Sequence, residues 1–184
     1  KAMSDICCTS ANAVSIVAQI PLEQAVLFVP DRNLGSYVSQ QLKRELVLWP
    51  GYCPTHHRLL PEVLLRTKEE HPEALVVVHP ECRPEVVALA DAVESTTGIL
   101  RVCSESDRDE FIIGTEVGLL HRLQKENPGK CFYPAAPFMD CPNMKLNSLE
   151  KILWCLEDCG PEVVVPAHTA EAARRPIEKM LSMG

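Results

Sequence analysis

The segment "ALVVVHPECRPEVVALA", residues 74–90, decides the fold class. It begins with a short apolar run rich in β-branched valine, which is typical of a strand buried on both faces. A polar turn follows, and the amphipathic stretch "RPEVVALADAV" (83–93) then predicts a helix. A buried strand that leads through a turn into a helix is the unit of a parallel sheet covered by helices.

The same order of apolar run, turn and amphipathic stretch recurs along the chain. The runs "AVLFV" (25–29), "EFIIG" (110–114) and "EVVVP" (162–166) predict further buried parallel strands. Amphipathic stretches at 34–45, 117–126 and 170–181 predict the helices that follow them. We therefore expect an α/β protein built from repeated three-layer α/β/α domains with short parallel sheets.

An internal repeat of about 86 residues refines this prediction. The segment "SDICCTSANAVSIV" (4–17) aligns with "ADAVESTTGILRVC" (90–103), and "LVLWPGYCP" (46–54) aligns with "CFYPAAPFMDCP" (131–142). The alignment matches Ser10 with Thr96 and Cys53 with Cys141. We predict that residues 1–55 form a second, N-terminally truncated module and residues 56–142 a third. Residues 143–184 would complete a first module that is otherwise missing.

Composition limits the class of protein. The chain has 184 residues, a net charge of −7 and no basic cluster, which argues against a nucleic-acid-binding surface. Its apolar runs are far shorter than the roughly 20 residues that span a bilayer. Its nine cysteines are an odd number, and no secretion signal accompanies them. These features favour the reducing cytoplasm over a disulfide framework.

The matched cysteines Cys53 and Cys141 each lie in a predicted loop, precede a proline and follow an aromatic-proline pair. Equivalent residues of pseudo-symmetric modules converge on the symmetry axis, where thiolates would bind a soft metal cofactor such as an iron–sulfur cluster. Three thiolates would leave one metal position open for catalysis. The third cysteine would lie outside this chain. A buried structural role is the alternative for any single cysteine.

The remaining cysteines are predicted to have other roles. No C-x-x-C pair is present, which argues against a zinc ribbon. Cys155 and Cys159 have the spacing of a packed helix face, and Cys103 and Cys131 are predicted to lie in the core. The pair at positions 7 and 8 would end a buried strand.

Polar side chains follow the predicted strands, where parallel sheets bind their ligands. His79 and Glu81 follow one strand, and Thr115 and Glu116 follow another. The hydroxyl residues that begin predicted helices, which suit either N-capping or anion binding, are Ser10, Ser95 and Thr96. His56, three residues after Cys53, joins His79 as a candidate proton donor or carboxylate ligand.

Together these motifs resemble the quinolinate synthase family. The resemblance rests on "CCTSANAV" (7–14), "PGYCPTHH" (50–57), "VVVHPEC" (76–82), "VESTTGI" (93–99), "FIIGTEVGLLHRLQKENPGKCFYP" (111–134), "CPNMKLNSLEKI" (141–152) and "VVVPAHTAEAARRPIEKML" (163–181). It implies three pseudo-symmetric domains around a central [4Fe–4S] cluster, with one cysteine from each domain. Cys53 and Cys141 would be two of these ligands. The third would belong to an N-terminal domain that this chain lacks.

The resemblance also implies an activity. Members condense iminoaspartate with dihydroxyacetone phosphate and release phosphate and water to give quinolinate, a precursor of NAD. Glu81 and His79 would be catalytic, and the substrate-binding residues would be Ser10, His56, His79, Ser95 and Thr96. L-aspartate oxidase or aspartate dehydrogenase would supply iminoaspartate. Two alternatives are a catalytically incomplete, cysteine-rich α/β binding module and a structural zinc protein.

Overall fold

The computed structural model describes residues 1–183 and divides into two compact units, residues 10–140 and residues 1–9 with 141–183. The elements of the larger unit, in chain order, are α1 (Ala13–Ala18), β1 (Leu27–Phe28), α2 (Arg32–Leu42), β2 (Val47–Leu48), α3 (Pro54–His57), α4 (Pro61–Glu70), β3 (Leu75–Val78), α5 (Pro84–Val87), β4 (Ala92–Val93), α6 (Thr96–Glu105), β5 (Glu110–Gly114), α7 (Leu119–Glu126) and β6 (Cys131–Pro134). The smaller unit contains a short 3₁₀ turn (Met144–Leu146), α8 (Leu149–Asp158) and α9 (Ala167–Met183).

The main sheet of the larger unit has four parallel strands in the order β4-β3-β5-β6. Successive side chains of β3 point to opposite faces. Val76 and Val78 pack in one apolar cluster with Leu64, whereas Val77 packs in a second with Ile99. Helices therefore cover both faces of the sheet, and the predicted α/β class with short parallel sheets is confirmed.

A second, two-stranded parallel sheet pairs β1 with β2, and the intervening α2 packs against it. Gly35 of α2 allows this close approach: a Cβ there would lie 2.6 Å from Cδ2 of Leu48 and 2.9 Å from Cδ1 of Phe28. The unit β1-α2-β2 has the same connectivity as β5-α7-β6, the segments that the sequence repeat aligns. The predicted module boundaries remain a prediction.

Two predicted elements differ from the structure. Residues 162–166 are exposed and do not form a strand, since no strand of the described residues pairs with them. The predicted helix at 83–93 ends after α5, and its last residues form β4. Asp91 explains this change, because its backbone N–H donates to the carbonyl of Val76 and its carboxylate accepts from the Val76 N–H, which aligns the segment with β3.

The cysteine predictions are corrected in part. Cys103 is buried as predicted, but Cys131, Cys155 and Cys159 are exposed. Cys131 begins β6, which is an edge strand and pairs only with β5. The apolar face of α8, which carries Cys155, is exposed in the described residues, because an amphipathic pattern identifies a face but not its partner. The two cysteines at positions 7 and 8 are half-buried and precede α1 without forming a strand.

The smaller unit is held by local contacts. Ser148 caps α8 by accepting a hydrogen bond from the backbone N–H of Lys151 at 3.3 Å. The N–H of Cys7 donates to the carbonyl of Pro176 in α9 at 3.1 Å, which ties the first residues of the chain to this helix. Within residues 1–183, no helix combines the length and apolar character required to cross a bilayer.

A buried arginine, Arg44, holds the loop between α1 and β1. Its guanidinium donates to the carbonyls of Val17, Ile20, Pro21 and Gln24 at 3.2, 2.7, 2.8 and 2.6 Å. Charged side chains are rarely buried without partners, and here four backbone acceptors provide them.

We expect Arg44→Met to lower the free energy of unfolding by about 3 kcal/mol, because a buried carbonyl left unpaired costs about 1–3 kcal/mol. Methionine keeps much of the aliphatic bulk and removes the donors. Urea unfolding measures the change, and Arg101→Met, at a side chain that is 61% exposed, is the control. An Arg44→Met variant as stable as this control would contradict the assigned role.

Candidate functional site

The carboxyl ends of β3 and β5 lie side by side at one edge of the main sheet. His79 follows β3 and donates its backbone N–H to the carbonyl of Gly114 at 3.0 Å. Thr115 follows β5 and is buried. The predicted candidate Glu81 stands in the turn after His79. This edge is where open parallel sheets bind ligands.

His56 of α3 joins these two strand ends. Its Nδ1 lies 3.1 Å from Oε2 of Glu81, and its Nε2 lies 2.9 Å from Oγ1 of Thr115. Its ring stacks on His79, with centroids 4.4 Å apart. The predicted site residues His56, His79 and Glu81 are therefore in direct contact.

The two stacked histidines have opposite protonation. Burial lowers the pKa of His56, but the hydrogen bonds and charges of Cys53 and Glu81 outweigh it and raise the pKa to about 9. Burial, with the neighbouring His56 cation, lowers the pKa of His79 to about 4. At neutral pH His56 is thus an imidazolium that donates from both nitrogens, and His79 is neutral. The Glu81 N–H donates to Nδ1 of His79 at 3.3 Å, so Nε2 of His79 carries its proton.

Glu81 is an ionised carboxylate beside this imidazolium. Burial raises its pKa, but the hydrogen bond and the positive charge of His56 leave the pKa below its ordinary value. A carboxylate paired with a protonated imidazole forms a two-group system that can pass a proton in either direction. This arrangement supports the catalytic assignment that the sequence suggested for Glu81.

Cys53 stands at the start of α3, next to this pair. Its Sγ, a ring nitrogen of His56 and a carboxylate oxygen of Glu81 all lie within 4.8 Å of one another. Asp31, the N-cap of α2, holds the loop: Oδ1 accepts from the Leu34 N–H at 2.8 Å and Oδ2 from the Cys53 N–H at 2.6 Å. One buried carboxylate therefore fixes both a helix start and the backbone of the predicted ligand.

We expect Asp31→Ala to lower the free energy of unfolding by about 2 kcal/mol, because it removes a helix cap and a second charged hydrogen bond. Urea unfolding gives the loss of stability, and amide hydrogen exchange reports on the Cys53 loop. Exchange at Cys53 should become faster. The control is Asp91→Ala, which removes one carboxylate bond to the Val76 N–H at 2.8 Å. Unchanged exchange at Cys53 would contradict the positioning role.

The predicted hydroxyl residues lie elsewhere on the larger unit. Ser95 caps α6 and accepts from the Gly98 N–H at 3.2 Å, and Thr96 begins that helix. Because β4 precedes them and pairs in parallel with β3, they share the sheet edge of His79. Ser10 lies before α1. In the described residues, no hydrogen bond joins these three hydroxyls to His56 or Glu81.

The segment that leads to Cys141 is anchored in the larger unit. Met139 is fully buried, and its carbonyl accepts from the Val117 N–H at 3.0 Å. Arg58, the residue after α3, donates to the carbonyl and carboxylate of Asp140. Cys141 itself is half-buried and begins the second segment of the smaller unit.

The donor set suits a thiolate-bound cofactor. A pKa of about 9 favours the protonated form of His56, which leaves Cys53 as the soft donor atom of this group. Thiolates are the usual ligands of iron–sulfur clusters, and here acid and base groups lie beside the thiol.

Two site residues were not among those predicted for catalysis or binding. Asp31 carried the signal of an acidic N-cap before "RNLG", and Thr115 was noted only as a polar residue after a strand. Their roles depend on contacts across 22 and 59 positions of sequence. Such long-range contacts leave no local pattern.

Comparison with known proteins gives consistent matches. A family model described as "Quinolinate synthetase A protein" matches residues 1–182. Proteins named quinolinate synthase from Geotalea uraniireducens and Desulforudis audaxviator are 52% and 51% identical over 183 residues, all of this chain and 60% of their own length. The namesake from Trichodesmium erythraeum is 46% identical and matched over 58% of its length. The chain thus spans about 60% of these curated relatives.

Proposed function

Because the chain belongs to the quinolinate synthetase A family, we propose that the protein it forms is a quinolinate synthase. The proposed reaction condenses iminoaspartate with dihydroxyacetone phosphate to give quinolinate, one phosphate and two waters. The observation that carries this proposal is the group of His56, His79 and Glu81 beside Cys53, which combines proton-transfer groups with a soft ligand. The matched relatives support the substrate class through their name.

The chain's own residues supply the proton transfers that loss of water requires. Glu81, ionised, accepts a proton from a carbon next to a carbonyl or imine group. His56 holds a proton at Nδ1 against Glu81 and can return one through it. His79 donates its Nε2–H to a substrate carboxylate without competing as a base, because its pKa of about 4 keeps it neutral.

The proposed cofactor is one [4Fe–4S] cluster, held by Cys53, Cys141 and a third cysteine, whose open iron would supply Lewis-acid chemistry. The strand-end hydroxyls would bind the anionic parts of the substrates. Thr96 and Ser95 at the start of α6 suit a phosphate or carboxylate, since backbone N–H groups at a helix N-terminus favour anions. Ser10 is proposed for the same role at α1.

The proposed setting is the cytoplasm. Iminoaspartate hydrolyses readily, so an enzyme that produces it must be active nearby. L-aspartate oxidase or aspartate dehydrogenase would supply it. These partners are proposals that rest on the family resemblance.

The test is anaerobic reconstitution of the full-length protein with iron and sulfide, followed by a quinolinate assay. We expect about four irons per chain, absorbance near 400 nm and quinolinate that depends on both substrates. A cluster-bearing protein that produces no quinolinate from either iminoaspartate source would overturn the proposed reaction.

A zinc site is the second candidate, because thiolate, imidazole and carboxylate are all zinc ligands and here lie within 4.8 Å. To bind through His56, zinc would have to displace one of the two ring protons of the imidazolium. The same preparation separates the two candidates, since Zn²⁺ is colourless. Stoichiometric zinc with no visible absorbance after anaerobic purification would favour zinc.

A further inference from the structure

A cleft of about 400 Å³ lies between the start of α2, the end of β2 and the start of α5. The residues that matter here are Arg32, Asn33, Trp49, His57, Arg83 and Glu85. His57, not His56, faces this cleft. The catalytic assignments above make no use of these residues.

The hydrogen bonds of Asn33 fix the tautomer of His57. The Asn33 side-chain amide donates to the carbonyl of Glu81 at 2.9 Å, which fixes the orientation of that amide. The same nitrogen lies 3.1 Å from Nδ1 of His57, so Nδ1 must accept. A neutral imidazole that accepts at Nδ1 carries its proton at Nε2. His57 therefore presents an Nε2–H donor to the cleft.

That donor faces a second donor. Nη2 of Arg32 lies 3.2 Å from Nε2 of His57, and a guanidinium has no acceptor. Two N–H groups at this distance repel each other unless an acceptor lies against both. An anion with oxygens lying against both Arg32 and His57 would satisfy both donors.

A second cation, Arg83, also contacts His57 and lines the cleft. Nε of Arg83 donates to the His57 carbonyl at 2.6 Å, which leaves its two terminal nitrogens for a ligand. Neither Arg32 nor Arg83 has a carboxylate within ion-pair distance in residues 1–183. Arg32 lies over the ring of Tyr52, with its Cζ 4.9 Å from the centroid, and Tyr52 stacks on His57. The donors are thus held in place before any ligand binds.

The electrostatic balance at the cleft is positive. Burial and the charges of Arg83 and Arg32 lower the pKa of His57, against the opposing charges of Asp31 and Glu85. Asp31 is already committed to the N–H groups of Leu34 and Cys53. Glu85 is the carboxylate that lines the cleft and would repel an anion.

We propose that this cleft is a binding site for a phosphate group, held by Arg32, the Nε2–H of His57 and Arg83. Donors from three side chains match the several acceptor oxygens of a phosphate better than the two oxygens of a planar carboxylate. Arginine is also the side chain best suited to bidentate phosphate binding. The site is distinct from Ser95 and Thr96, which follow β4.

The test is calorimetric titration of the full-length protein with inorganic phosphate, glycerol 3-phosphate and acetate. We expect both phosphates to bind and acetate to bind at least about tenfold more weakly. Tighter binding of the ester than of the free ion would identify a phosphorylated metabolite as the occupant. Repeating the titration in Ser95→Ala separates the cleft from any phosphate bound at α6.

Variants test the three donors and the opposing charge. Arg32→Gln and Arg83→Gln should each weaken phosphate binding at least about tenfold, and Arg122→Gln on α7 should leave it unchanged. Glu85→Gln should strengthen binding about threefold, because it removes a repelling charge without loss of bulk. A merely destabilised fold cannot produce this gain. Phosphate affinity unaffected by Arg32→Gln and by Glu85→Gln, in variants with native circular dichroism, would overturn the proposal.

Discussion

A Cys53→Ser variant is expected to lose most of its iron and to make quinolinate at least about 100-fold more slowly. The loss should exceed the roughly 10–100-fold effect of removing an outer partner of a ligand, because a thiolate that holds the metal is itself removed. Serine preserves the size and the backbone N–H bond to Asp31, so the loop geometry should remain. The pKa of His56 should fall from about 9, since Cys53 contributes to raising it.

Iron analysis, absorbance near 400 nm and an anaerobic quinolinate assay measure the effect. The matched control is Cys131→Ser, because Cys131 is exposed at the start of β6 and is not followed by a proline. This control should retain full iron and activity. Equal iron in the Cys53→Ser variant and in the control would exclude Cys53 as a ligand and would also remove the basis for the cluster proposal.

Strong local patterns made the two central strands of the main sheet, β3 and β5, predictable. The valines of β3 alternate between two apolar clusters, and such runs identify a strand that is covered on both faces. The run at 162–166 has the same composition but is exposed, because a strand also requires a neighbour with which to pair. Composition therefore indicates that a segment can be buried, while pairing decides whether it forms a strand.

The site was predictable to the extent that chain order places residues at strand ends. His79 and Glu81 follow β3 directly, so the rule for parallel sheets located them without knowledge of their neighbours. The contact between His56 and Thr115 joins residues 59 positions apart, and no periodicity encodes it. The opposite protonation of the two histidines likewise depends on which ring is nearer Cys53 and Glu81. Only the folded geometry provides that information.

The adjacent histidines His56 and His57 also show what sequence alone cannot assign. The pattern "CPTHH" identifies two candidates but cannot assign them. In α3 the first ring faces Glu81 and Thr115, and the second faces Arg32 and Asn33. A helix places successive residues about 100° apart, so neighbouring side chains serve different surfaces. The structure places His57 half-buried at the cleft beside Arg32 and Arg83.

A Glu81→Gln variant is expected to keep its iron and to lose about 10²–10⁴-fold in kcat, the usual contribution of a general acid–base group. Glutamine retains the shape of the side chain but cannot accept and return a proton. The KM values should change little, because Glu81 is proposed to act on the reacting atoms and not to hold the substrate anions. The pKa of His56 should also fall, since its carboxylate partner would be neutral.

Steady-state kinetics and an NMR titration of the His56 ring separate catalysis from structure. Glu69→Gln, at an exposed position of α4, is the control and should match the unmodified protein. If Glu81 only supported the fold, the variant would lose iron or stability in proportion to its activity. Intact iron with a large fall in kcat therefore argues for proton transfer. Unchanged kcat with a lowered pKa of His56 would show that Glu81 sets the charge of the histidine but takes no part in the reaction.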